Sequence, residues 1–218
     1  MGEGLLFSQM EPAPADELAF HQWYDAEHIP PRMAVPGFDS ACRYVAPDGG
    51  PWHLACYFLS DMAALDTPEY QVLKADPGPR SRHMLGNVTA FTRYLCDLLS
   101  DTGPADEPHS RLFVTAFAVP EHAAEAFDSW YEQEHVPMLM KADGWLRVRR
   151  YAVRPGSDGP AWTRLALHEL RAPSALASPE REAARTTPWR ARLAGEQWFS
   201  ENDRWIYRPI ASATATWR

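Results

Sequence analysis

The sequence predicts an α+β protein made of two tandem βαββαβ repeats. Three observations predict it: a long internal repeat, the same succession of strand-period and helix-period segments in each copy, and a polar stretch between the copies. Phe20-x-x-Trp23-Tyr24-x-x-Glu27-His28-Ile29-Pro30 returns as Phe127-x-x-Trp130-Tyr131-x-x-Glu134-His135-Val136-Pro137, an offset of 107 from Trp23 to Trp130. Without a gap the same offset pairs Leu5 with Leu112, Met33 with Met140, Gly37 with Gly144, Arg43 with Arg150 and Tyr44 with Tyr151. Beyond a loop of different length, Trp52 matches Trp162 and Thr67-Pro68-Glu69 matches Ser178-Pro179-Glu180. The repeats are assigned to residues 1–99 and 111–218. The linker at 100–110 is rich in Ser, Asp, Pro and Gly, as an exposed connector should be.

Each copy opens on a β-rich run, Leu5–Met10 or Leu112–Val119, followed by a proline and a segment of helical period. That helix is predicted to stop near His28 or His135, because Pro30 and Pro137 disfavour the α conformation in the residue before them. Two strands follow, about Phe38–Val45 and His53–Ser60, then Trp145–Val153 and Thr163–Leu170 in the second copy. Asp48-Gly49-Gly50-Pro51 and Pro155-Gly156-Ser157-Asp158-Gly159-Pro160 are their hairpin turns. A Pro-interrupted helical region begins near Met62 or Pro173, and a last strand runs about Thr89–Leu98 or Arg204–Ala211. The order is that of a ferredoxin-like unit, with helices on one face of an antiparallel sheet. The uncovered face needs a partner, and two such sheets in one chain supply it to each other as an intramolecular pseudo-dimer.

Composition narrows the functional classes. With a net charge of -8 and no basic stretch longer than a few residues, nucleic acid and anionic membranes are not expected partners. No segment approaches eighteen apolar residues and the N-terminus lacks a signal-peptide pattern, so a cytoplasmic location is expected. Cys42, Cys56 and Cys96 are odd in number and never spaced as CxxC, which favours buried thiols over a disulfide framework or zinc site. Dinucleotide, Walker, zincin and serine-hydrolase motifs are missing.

The order of elements and the Trp-Tyr-x-x-Glu-His-x-Pro helix end resemble the dimeric α/β-barrel superfamily, nearest its EthD-like and related small-enzyme branches. The two copies stand in for the usual two subunits, which implies a pseudo-dimeric α/β barrel. The resemblance also implies a spread of activities: cofactor-free monooxygenases, polyketide cyclases, lactone isomerases, and haem-dependent members including haem-degrading enzymes. Fold analogy does not choose among them.

The candidate site residues come from the motif. On an ideal helix Glu27 and Glu134 fall in the middle of the apolar face set by Phe20, Trp23 and Tyr24, or Phe127, Trp130 and Tyr131. A carboxylate there needs a partner, either backbone N–H groups and Arg43 or Arg150, or a neighbouring base that it orients. His28 and His135 lie at the border of that face, where an imidazole either caps its own helix or serves as a general acid or base. Behind them the stripe reads His21, Tyr24, His28 in one copy and Asp128, Tyr131, His135 in the other, either a proton-orienting line or the wet edge of an amphipathic helix. Asp128 and Glu134 beside Tyr131 and His135 tilt the choice of active copy to the second. Arg32, which the second copy replaces by Leu139, could bind an enolate or carboxylate oxygen and tilts it back. Trp23, Trp130, Tyr44 and Tyr151 either stack on a ligand or fill core, and His168, aligned with Tyr57, is a further candidate.

The expected function is a cofactor-independent isomerase, cyclase or lyase that moves protons through His135 or His28 on a small apolar, aromatic or polyketide-like substrate. No metal and no cofactor are expected, with haem as the runner-up cofactor. The alternatives are a monooxygenase, cofactor-free or haem-dependent, and a non-catalytic protein that binds a hydrophobic small molecule. Further homo-oligomerisation stays open.

Overall fold

The computed structural model describes residues 2–47, 53–104 and 107–210. The hairpin turn read at Asp48–Pro51, the Trp52 match and Ala211 lie outside these residues. The chain divides into two compact units, one of residues 1–97, 154–160 and 210–218, the other of 98–153 and 161–209.

The first unit contains β1 (Gly4–Glu11), α1 (Glu17–Trp23), α2 (Ile29–Met33), β2 (Phe38–Val45), β3 (His53–Leu59), α3 (Pro68–Ala75), α4 (Gly78–Gly86) and β4 (Thr89–Thr102). Strand order is β2-β3-β1-β4, all antiparallel, with Leu6 opposite Tyr57 and Leu95, and Ala41 opposite Tyr57. One face of the sheet, with Leu6, Met10, Ala41 and Tyr57, packs under Phe20, Trp23, Tyr24 and Ile29 of the helical layer. β4 runs to Thr102, past the boundary read at residue 99, and its last residues belong to the second unit. All three cysteines lie in the first unit, Cys56 and Cys96 fully buried.

The second unit repeats the order with β5 (Arg111–Phe117), α5 (Glu121–Trp130), α6 (Val136–Leu139), β6 (Trp145–Val153), β7 (Arg164–Leu170), α7 (Pro179–Arg185), α8 (Pro188–Ala194) and β8 (Asn202–Pro209). Its sheet is β6-β7-β5-β8, and its core gathers Phe113, Phe127, Trp130, Val136 and Trp145. Gly37 and Gly144 start the returns into β2 and β6. A Cβ on Gly37, at φ +95°, would sit 2.8 Å from Ala64 Cβ, and one on Gly144 2.9 Å from Ala175 Cβ, which is why both positions lack side chains. Among the described residues no helix is long and apolar enough to cross a membrane.

One expectation about the helices fails instructively. The first helix of each unit does not stop at the motif histidine; it passes through a π turn, Tyr24–His28 or Tyr131–His135, and resumes as α2 or α6. Pro30 and Pro137 have no N–H to give the carbonyl four residues back. The ladder widens by one residue just before them, with Ile29 N–H donating five residues back to Tyr24 O and Val136 N–H to Tyr131 O.

Candidate functional site

The π turn sets the site, because an extra residue in one turn changes which side chains face inward. Glu27 is swung out to 43% side-chain exposure and pairs with Arg80, so the expectation that it sits in the apolar face is corrected. Glu134 is half-buried and accepts from Trp130 Nε1 (3.1 Å) and from Thr187 Oγ1 (2.5 Å), the residue that caps α8. Neither glutamate pairs with the repeated arginine. Arg43 binds Asp25 (2.7 Å), and Arg150 binds Asp128 (2.5 Å) and Glu132 (2.9 Å). Turned inward instead are His28 and His135. His28 is wedged against the rings of Trp23 and Tyr24, at 4.4 and 4.7 Å between centroids, and His135 stacks on Trp130 at 4.7 Å.

Each histidine lines a cavity of its own unit. In the first unit the cavity holds about 320 Å³ and is walled by Leu6, Ser8, Met10, Tyr24, His28, Arg32, Tyr57, Tyr70, Lys74, Phe91 and Arg93. Burial holds the His28 imidazole neutral, well below its ordinary value, and the nearby Arg32 and Arg43 guanidinium groups push the same way. Arg32 is anchored by donating to His28 O at 2.7 Å. Burial also pushes the Tyr24 and Tyr57 phenols up, and the neighbouring Tyr24 hydroxyl interacts with Tyr57 Oη, which makes no hydrogen bond of full geometry among the described residues. A buried hydroxyl on a cavity wall, held only weakly by another phenol, can turn its proton to an acceptor in the cavity.

In the second unit the cavity is only about 50 Å³, walled by Phe113, Thr115, Phe117, Trp130, Tyr131, His135, Trp145, His168, Phe199 and four arginines, 181, 185, 190 and 204. The two walls correspond position by position: Ser8 to Thr115, Tyr24 to Tyr131, His28 to His135, Arg32 to Leu139, Tyr57 to His168, Tyr70 to Arg181, Lys74 to Arg185 and Arg93 to Arg204. Register supports the last pair, since Arg93 faces Ser8 across the sheet and Arg204 faces Thr115. The second cavity is the smaller because Met10 becomes Phe117, and Trp145 and Phe199 also wall it.

A polarised hydrogen-bond chain runs through the second site. Trp145 Nε1, a donor only, gives its proton to His168 Nδ1 at 3.2 Å. Burial keeps His168 neutral, so its proton sits on Nε2 and is donated to Tyr131 Oη at 2.9 Å, leaving the Tyr131 proton for Thr115 Oγ1 at 3.2 Å. Both nitrogens of His168 are therefore occupied, and it positions Tyr131. The expected Asp128, Tyr131, His135 line does not form, because Asp128 turns to Arg150 and Arg164. His135 is held down to about 4, chiefly by burial, and its Nδ1 is buried without a partner.

Several sequence candidates fall outside both cavities. Trp23 is core and donates to Ser81 Oγ at 2.8 Å, and Tyr44 and Tyr151 are buried and wall neither cavity. His21 meets Arg43 (3.0 Å) and the His53 ring rather than joining His28. Tyr57, Tyr70, Lys74, Arg93 and the four arginines were not singled out by sequence, although the alignment of Tyr57 with His168 and of Thr67–Glu69 with Ser178–Glu180 pointed to their positions. Glu17, His21 and His53 bring ligand atoms within 4.8 Å of one another. Arg43 faces His21 Nδ1 as a donor, whereas a metal-bound imidazole gives its second N–H to an acceptor, so the polarity opposes a cation there.

No family model and no curated protein matches the sequence. Solved structures do. A protein from Fusobacterium nucleatum named as a candidate monooxygenase aligns at TM-score 0.64 and 10% identity over 96% of this chain and 93% of that one. An anthrone oxidase-like protein aligns at TM-score 0.62 and 14% identity over 95% and 91%. A chlorite dismutase variant from Candidatus Nitrospira defluvii aligns at TM-score 0.61 and 8% identity over 96% and 92%. At these identities the likeness is one of fold, and the chain shares with them an α+β fold of the dimeric α/β-barrel type.

Proposed function

We propose that the protein is a cofactor-independent oxygenase that oxidises a flat aromatic or polyketide-like ring compound in the cavity of the first unit. This is the oxygenase alternative read from sequence rather than the isomerase, cyclase or lyase reading, and the names of the structural neighbours favour it. The observation that carries it is the pairing, in one largely apolar cavity of about 320 Å³, of a neutral buried His28 with Arg32 and the weakly held Tyr57 hydroxyl. That volume suits a small ring system. The 50 Å³ of the second unit does not, so the cavities favour the first copy over the second, which the carboxylates near His135 had suggested.

In this reading His28 accepts a proton from a ring methylene beside a carbonyl. Arg32 N–H and Tyr57 O–H stabilise the enolate oxygen, as an oxyanion hole does. The enolate is itself the reductant. Dioxygen gives one oxygen to the carbon, the second leaves as water with the two methylene hydrogens, and CH₂ becomes C=O. A haem fits the residues poorly. The two guanidinium groups that disfavour a proton on His28 disfavour a ferric ion there equally, His168 has no nitrogen to offer, and the second cavity is too small for a porphyrin. We propose further that the units are the halves of a tandemly duplicated pseudo-dimer of the EthD-like branch, on the strength of the 107-residue offset and the repeated motif.

Oxygen uptake with anthrone and a panel of ring phenols tests the reaction. His28→Gln is expected to lower turnover by about 10²-fold or more, and Tyr57→Phe by about tenfold. Because His28 is neutral well below its ordinary value, kcat/KM should hold its level as pH falls through about 6.5, the usual histidine range. A Soret band in the purified protein, lost in His28→Gln, would instead install the haem reading. A tightly held aromatic compound released by denaturation, with no oxygen uptake, would install the binding-protein reading.

A further inference from the structure

The second cavity has too little room and too much positive charge for an apolar ring compound, and its own features call for a different ligand. Four guanidinium groups converge on about 50 Å³ of space. Among the described residues only Arg185 of the four reaches a carboxylate, Glu182, and at 3.8 Å. Arg181 and Arg190 are held in place by uncharged contacts. Arg181 donates to Leu176 O (2.5 Å) and lies over the Phe113 ring, and Arg190 donates to Arg185 O (3.0 Å) and lies over the Phe199 ring. Each guanidinium is thus oriented with N–H groups left over. Burial and mutual repulsion with Arg185 and Arg204 push both below their ordinary values, so the empty cluster is electrostatically costly. At the floor, His135 Nδ1 is buried and unpartnered. The imidazole is neutral, and in the tautomer with its proton on Nε2 the Nδ1 atom is a bare acceptor.

We propose that the cavity of the second unit binds a small oxyanion of the phosphate class, held by Arg181, Arg190 and Arg204, with His135 Nδ1 accepting the hydrogen of its P–OH. Guanidinium forks match tetrahedral oxyanions, and three cations with no carboxylate in ion-pair contact among the described residues, Glu182 acting on Arg181 and Arg190 only from farther off, match a dianion better than a single carboxylate. Only a hydrogen-bearing anion satisfies His135 as well. The site occupies the place where the first unit has Tyr70, Lys74 and a roomier wall, so the two equivalent cavities would take different ligands. The ligand is either free phosphate or the phosphoryl group of a larger molecule, and the proposal is independent of the oxygenase reaction.

Calorimetry with inorganic phosphate on the full chain tests it, with chloride, sulfate and acetate at matched ionic strength as comparators. One phosphate per chain is expected to bind. The order of affinity should be phosphate above sulfate above acetate, since sulfate at neutral pH has no hydrogen for His135. The double variant Arg181→Ala/Arg190→Ala should weaken binding more than about tenfold, and Arg190→Lys, which keeps the charge and loses the fork, should weaken it by a smaller factor. His135→Phe should erase the preference of phosphate over sulfate. A phosphorylated ligand outranking free phosphate by more than tenfold would identify the larger source. Acetate binding best, no heat with phosphate, or equal binding by wild type and Arg190→Lys would overturn the proposal; the last needs no truncated arginine and so survives misfolding of the double variant.

Discussion

At the scale of single residues, the two units reuse one arrangement with different chemistry at its centre. Tyr57 in the first unit has only the Tyr24 hydroxyl beside its own, while His168 at the equivalent place is tied at both nitrogens, to Trp145 and to Tyr131. The difference decides which tyrosine is locked. Trp145→Phe should remove the donor to His168 Nδ1 found among the described residues, letting the ring carry its proton on either nitrogen. Imidazole ¹⁵N shifts are expected to show the Nε2–H form alone in the wild type and a mixture in the variant, and the buried acceptor left unsatisfied should cost about 1–3 kcal/mol of stability. An unchanged Nε2–H signature would mean that Tyr131, not Trp145, sets the tautomer. A proton on His168 is strongly disfavoured by burial, so neither outcome depends on working below neutral pH.

At the scale of elements, the π turn is the device that faces His28 and His135 inward and sends Glu27 out. Ala26 is exposed and lies inside the first π turn, so deleting it should return the helix to α register with little loss of helical circular dichroism. The His28 ring would then leave the cavity, and oxygen uptake should fall by at least the factor expected for His28→Gln. Activity within about threefold of wild type would show that the extra residue does not aim the site. This element also marks the limit of what the sequence reveals. The strands and their order were legible because the period-2 runs and the 107-residue offset record them directly, and the motif histidines followed. The inward side chains were not, because a wheel at 100° per residue presumes an unbroken α-helix. Pro30 predicts a stop, whereas its missing N–H is accommodated by one wider turn. The cavity arginines and Tyr57 were hidden for another reason: they come from β3, α7, α8 and β8, far from the motif in sequence, and only the register brings them to it.

At the scale of the whole molecule, four buried imidazoles, His28, His53, His135 and His168, are held neutral by burial, His135 down to about 4 and His53 to about 3. The unfolded chain takes up these protons as pH falls through about 6.5, while the native chain resists them until far lower. Stability is therefore full above about pH 6.5 and declines steadily as pH drops toward 4, since the unfolded state binds more protons over that window. Melting temperature should fall continuously between pH 7 and pH 4.5, and His135→Gln should flatten the slope. A melting temperature constant across that interval would contradict the burial of neutral histidines. The placement of the cysteines gives a means of following such unfolding unit by unit. Only Cys42 is partly accessible, whereas Cys56 and Cys96 are sealed and the Cys96 thiol is pushed up by burial, so the native chain should take a single maleimide label quickly. The second unit contains no thiol at all, so slow incorporation of the next two labels is a clock that runs only when the first unit opens.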